Sequence, residues 1–183
     1  MKTMHINKKT SMLGFTLLEL LIVMAMIAIV GSIAAPSFDS SISRNNVQSM
    51  RDSMFNAMQY ARSEAVKRKM PVGVCASNDQ INCANDTNWH LGWVVFVDQN
   101  GNGTQDGNAQ EAAIQAHYGE GNLATPLANS GVVVFNRLGL ANNPQTDLCF
   151  VDPRHPANTN RRGIQISAVG SVLLRSGFDG NCV

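Results

Sequence analysis

Gly14-FTLLELLIVMAMIAIVGSIAA-Pro36 is the stretch from which the rest of the chain is read. Twenty-one residues lie between the glycine and the proline, and Glu19 is their single charge. As a helix they would reach roughly 30 Å, the thickness of a bilayer's hydrocarbon core. A polar leader with Lys2, Lys8 and Lys9 precedes them. A cleavable secretory signal has a shorter apolar run, with a small-residue site after it. Here Ala34-Ala35 runs straight into proline, so the stretch reads as an anchor. A carboxylate in hydrocarbon is costly and is kept where something pairs with it, which singles out Glu19. The lysines before the anchor and Asp39 soon after it put the leader in the cytoplasm and the bulk of the chain outside.

Working outward, the helical pattern continues past Pro36. Val47, Met50, Met54, Met58, Ala61 and Ala65 recur at steps of three and four and form one apolar stripe. In so long a helix Pro36 is expected to kink a turn rather than end it. Lys67-Arg68-Lys69 suits the negative end of the helix dipole, and Pro71 forbids continuation. One helix from about Phe15 to Lys69 is therefore predicted.

From Val72 the texture turns to short β-prone runs between turn-rich loops. Predicted strands are Val72–Cys75, Trp89–Val97, Ala112–Tyr118, Gly131–Asn136, Leu148–Val151, Gly163–Ala168 and Ser171–Arg175. No long amphipathic helix separates them, so the sheet should be mostly antiparallel and the fold α+β. The expected organisation is 1–14 leader, 15–36 transmembrane helix, 37–70 amphipathic continuation and 71–183 β-rich head. Roughly 145 residues beyond the anchor suffice for one core.

Net charge is +1, so overall charge points to no polyanion. Cys75, Cys83, Cys149 and Cys182 all lie beyond the anchor. An even count there suggests two disulfides and a periplasmic head. Three pairings are open, and proximity favours Cys75–Cys83 with Cys149–Cys182. Trp89, Trp93 and Phe96 read as core. No nucleophile elbow, phosphate loop or H-E-x-x-H motif is present, so catalysis is not expected.

Gly14-Phe15-Thr16-Leu17-Leu18-Glu19, the apolar run and Pro36 together resemble the prepilin signal of type IV pilins and type II secretion pseudopilins. Tyr60-ARSEAVK-Arg68 and the W-x-x-GWVVF-x-D-x-N-x-NG run from Trp89 to Gly103 resemble the GspH/FimT/FimU group of minor pilins and pseudopilins. The resemblance implies a pilin fold: a long helix packed on an antiparallel sheet. It implies cleavage after Gly14 by a prepilin peptidase, N-methylation of Phe15, and Glu19 facing a neighbour's terminal amine during assembly. The implied partners are other pilins met through the N-terminal helix, the peptidase, the inner-membrane assembly platform and inner-membrane lipid. The implied place is a single-pass protein of the inner membrane that enters a pilus or pseudopilus.

Two further sites compete with plainer readings. Asp98, Asn100, Asn102 and Asp106 put oxygen donors at alternate positions around Gly103, like the first half of a calcium loop. Ala109 stands where the closing carboxylate belongs, and Asn-Gly turns make hairpins without metal, so a hairpin and no cofactor is the expected reading. Some FimT-type pilins bind DNA through a Gly-Arg-x-Arg motif. Here the matching segment, Gly170-Ser171-Val172-Leu173-Leu174-Arg175, lacks both arginines. DNA binding through Arg161, Arg162 and Arg175 is the alternative function, and Lys67–Lys69, Arg154 and His155 would extend that basic surface.

Overall fold

The computed structural model describes residues 14–119, 125–128, 130–142, 146–152, 154 and 161–176; side chains at 33–37, 125–127 and 176 are outside that description. The leader to residue 13, His155 and Cys182 lie beyond it.

Helix α1 spans Leu17–Arg68, 52 residues that include Pro36. Thr16 caps it: its Oγ1 accepts the Glu19 backbone N–H at 3.2 Å, the first half of a T-x-x-E capping box. Glu19 thus also places a negative charge in the first turn, where the helix dipole favours it. At the far end Lys69 takes a left-handed φ of 58° and Pro71 follows, a C-terminal stop of the usual kind. The chain divides into two compact units, Met1–Ser40 and Ser41–Val183.

In the first unit the described residues form the start of α1. Phe15 and the large apolar side chains from Leu17 to Val30 are all exposed. Among the described residues no helix is long and apolar enough to cross a membrane.

Among the described residues the second unit holds eight strands. These are β1 (Val72–Ala76), β2 (Gly92–Val97), β3 (Ala113–Tyr118), β4 (Thr125–Ala128), β5 (Val132–Phe135), β6 (Thr146–Val151), β7 (Arg162–Ile166) and β8 (Val172–Ser176). They form two antiparallel sheets of four strands, ordered β3-β2-β1-β5 and β4-β6-β7-β8. One core unites them. The α1 stripe Val47, Met50, Met54, Met58, Ala61 and Ala65 is buried as predicted, with Ala57 added. It packs with Val74, Trp93, Val95 and Phe135 of the first sheet and Leu148, Phe150, Ile164 and Ile166 of the second. Three methionines on one helix face, Met50, Met54 and Met58, bring unbranched, adaptable side chains to the junction with two sheets.

The two central strands of the first sheet, β1 and β2, are buried on both faces. Val94, Phe96 and Cys75 point away from the helix into a second cluster with Cys83 and Ala113. This explains why β2 reads as an unbroken apolar run rather than an alternation. Gly73 allows it: a Cβ there would lie 2.5 Å from the Phe96 ring.

Three local readings are corrected. The predicted strand Trp89–Val97 is a 3₁₀ turn at Trp89–Leu91 followed by β2. Gly92, the first residue of β2, ends the turn with φ 135°, and a Cβ there would sit 2.6 Å from the His117 carbonyl. The Trp89 indole is spent on the Ser130 carbonyl at 3.0 Å. The predicted strand from Ala112 starts one residue later, because Asn108 caps a 3₁₀ turn at Ala109–Glu111. Strand β4 was not predicted; it carries Pro126 and lies at a sheet edge, where proline is tolerated.

Candidate assembly surface

The N-terminal residues present a simple arrangement. Gly14 to Thr16 are non-helical and open, with nothing within 4 Å of a Cβ built on Gly14. Phe15 and Glu19 are exposed. From there to Val30 the helix is apolar on every side and contributes nothing to a core. A helix apolar all round is stable only when something apolar covers it.

In the second unit the helix is fastened to the sheets by charge as well as by packing. Near its start there, Ser43 hydrogen-bonds the buried Asp152. Arg154 Nη2 pairs with the same carboxylate at 2.8 Å. The hydrogen bonds from Arg154 outweigh burial and hold Asp152 well below the usual carboxylate range. Near the helix end, Glu64 is buried and takes Arg68 Nε at 2.6 Å and Lys67 Nζ at 3.2 Å. Those two hydrogen bonds, Arg68's first, lower its pKa. Arg62 Nε donates to the Gly139 carbonyl at 3.1 Å and Nη2 to Val169 O at 3.5 Å, tying α1 to two turns at once.

The outer face of the first sheet carries the disulfide Cys75–Cys83 and the loop from Asp98 to Glu111. Asp98 is fully buried, and its carboxylate accepts the N–H groups of Gly101, Asn102 and Gly103 at 2.7 to 3.1 Å. Asn100 and Asn102 turn their amides to Asp106. Buried Glu111 accepts the backbone N–H of Gln99 and of Asp106. The four candidate donors Asp98, Asn100, Asn102 and Asp106 are therefore brought together, but facing one another and the backbone. Among the described residues no group of three or more His, Cys, Asp or Glu side chains is arranged to hold a metal ion. Gln105 was missed by the sequence reading. Its Oε1 accepts Cys83 N–H at 2.8 Å, while Nε2 donates to Ile81 O and Glu111 O, so it staples the disulfide loop to the Asp98 loop. No sequence pattern marks such a glutamine. Cys149 is also disulfide-bonded, and its sequence-favoured partner Cys182 lies outside the described residues.

The basic residues fall into separate places. Lys67 and Arg68 are engaged with Glu64, and Arg154 with Asp152. Ser43, which meets Asp152, and Arg68 are 25 residues apart on one helix, roughly 37 Å. Arg162 and Arg175 lie on neighbouring strands, Arg175 opposite Gly163 and so two residues from Arg161. Arg175 donates to Gln165 Oε1, and Arg162 Nη1 to the Arg161 carbonyl.

A family model described as type II transport protein GspH matches residues 51–170. No curated protein matches the chain in sequence. Two crystal structures of the type IV minor pilin FimU of Pseudomonas aeruginosa match it in fold. One, in space group P21, has a TM-score of 0.58 at 22% identity and covers 76% of this chain and 97% of that one. The other, in P65, has a TM-score of 0.55 at 21% identity and covers 74% and 99%.

Proposed function

Because the chain belongs to the GspH family, we propose that it is a minor pilin or pseudopilin, a subunit that primes, builds or tips a type IV pilus or a type II secretion pseudopilus. The observation that carries this reading is the division of labour along α1. Its start is apolar on every face and uncovered, while its continuation buries a single stripe against the head. Such a helix needs an apolar host at one end and brings its own cover at the other.

In this reading the stretch 15–36 rests in the inner membrane with the head in the periplasm. Peptidase cuts after Gly14, where the chain is non-helical and open, and Phe15 becomes the methylated terminus. Glu19 then meets the terminal ammonium of a neighbouring pilin. An ion pair offsets the penalty that an unpaired buried carboxylate would carry. Pro36 withholds the N–H that the Ser32 carbonyl would accept, which loosens one turn between anchor and head. Assembly exchanges lipid for the helices of other subunits, with the platform supplying the extraction. The Asp98–Glu111 loop serves as a hydrogen-bonded brace in place of a calcium site.

Glu19→Val tests this. Cleavage after Gly14 should continue and the protein should stay in membranes, but its recovery in sheared fibres or pseudopili should collapse. Normal incorporation of the variant would refute the assembly role. Mass spectrometry of the wild type should find N-methyl-Phe15 as the first residue.

A second reading, DNA capture, is favoured by the closeness of Arg161 to Arg175 across β7 and β8. Gel-shift titration of residues 40–183 against salt decides it: phosphate contacts give retardation that weakens steeply as salt rises. No retardation at micromolar protein removes it.

A further inference from the structure

One surface of the head remains unexplained by the brace, the core or the anchor. The turn Asn136–Gly139 and the turn Ser167–Gly170 meet beside the last turns of α1. Their contact is backbone to backbone. A Cβ on Gly170, which has φ 74°, would fall 1.8 Å from the Gly139 carbonyl oxygen, and one on Gly139 would fall 3.1 Å from the Val66 methyl. Arg62 clamps both turns through their carbonyls. Around this clamp four large apolar side chains face solvent: Val66 at 51%, Leu138 at 70%, Leu140 at 38% and Val169 at 62% exposure.

The charge at this place is one-sided. Arg62 forms no ion pair among the described residues, because both its hydrogen bonds end on neutral carbonyls. Arg137, next to Leu138, is exposed and forms none either. Glu64, two residues further along α1, is already taken by Lys67 and Arg68. Arginine flanked by exposed apolar side chains is the composition of an interface centre, and a guanidinium without an ion pair calls for a carboxylate opposite.

We propose that this Arg62-centred patch docks the head of a neighbouring filament subunit, which presents a carboxylate flanked by apolar side chains. The proposal rests on the subunit reading above. It adds a head-to-head contact, made in the periplasm, to the helix-to-helix contact made by the N-terminal stretch. Phosphate would meet the arginines but leave four apolar side chains wet, so a protein partner is favoured over a nucleic acid.

The test uses the full-length chain in its own cells. A Leu138→Asp/Val169→Asp double variant alters only exposed side chains, and Arg62→Gln removes the charge while keeping a donor for the carbonyls. Each should reduce recovery in purified fibres at least about tenfold, equivalent to one lost interface anchor. Cleavage after Gly14 and the melting temperature of the double variant should match the wild type. A photo-crosslinking residue at Leu138 should give one discrete adduct with another pilin-class subunit, and Arg62→Gln should weaken that adduct. Equal recovery of wild type and double variant, or an adduct with nucleic acid alone, overturns the docking surface while leaving the subunit reading intact. Absence of the wild type from the fibres overturns the subunit reading and the docking surface with it.

Discussion

At the scale of single residues, Asp98 and Gly170 carry the sharpest consequences. Asp98 is buried and satisfies three backbone N–H groups of its own loop. Asp98→Ala would strand them, and with each lost partner costing about 1 kcal/mol or more, a loss of about 3 kcal/mol is expected in urea unfolding of the head. Asn at this position should recover part of it. Gly170 combines a positive φ with a backbone oxygen where a side chain would begin. Gly170→Ala should destabilise by about 2–4 kcal/mol, more than any surface substitution on the same turn. The sequence singled out Asp98 for the right reason, oxygen atoms at a tight glycine turn, but those oxygens serve N–H donors. Thr16 was equally readable, since T-x-x-E is a capping signal in its own right.

Among the elements, α1 was legible and β4 was not, for opposite reasons. A stripe repeated over five helical turns leaves little choice of burial, and all six predicted stripe residues are buried. Four residues with a proline in the second place carry no periodicity, and only the position of β4 at a sheet edge makes the proline acceptable. The division of the strands into two sheets was likewise invisible, because pairing partners such as Val72 and Phe135 are set by tertiary packing. The disulfide loop was half legible. Spacing favoured Cys75–Cys83, and the bond is present, but its fastening through Gln105 was not readable. Replacing both cysteines by serine should cost about 2–3 kcal/mol from loop-closure entropy. Gln105→Ala should leave the disulfide intact yet speed hydrogen exchange of the Cys83 amide, measured by NMR.

For the head as a whole, acid is the informative perturbation. Asp152, Asp79 and Glu64 all have pKa values lowered from their ordinary 3.8, 3.8 and 4.5. For Asp79 the main cause is the Asn82 N–H. Below those ordinary values the unfolded chain takes up protons that the native head resists, so folding loses its advantage as pH falls. Melting temperature should therefore be flat from neutral pH to about 5 and drop below about 4, and Asp152→Asn should shallow that drop. The order of the chain has a further consequence. The helix stripe from Val47 to Ala65 is made long before Ile164, Ile166 and Val172, the residues that complete its cover. Val74, Trp93 and Val95 shelter part of it early, but its cover is complete only when more than a hundred further residues have followed. Long-range closure of this kind is slow. The head thus closes late on a helix made early, and its last strands are the ones that seal it.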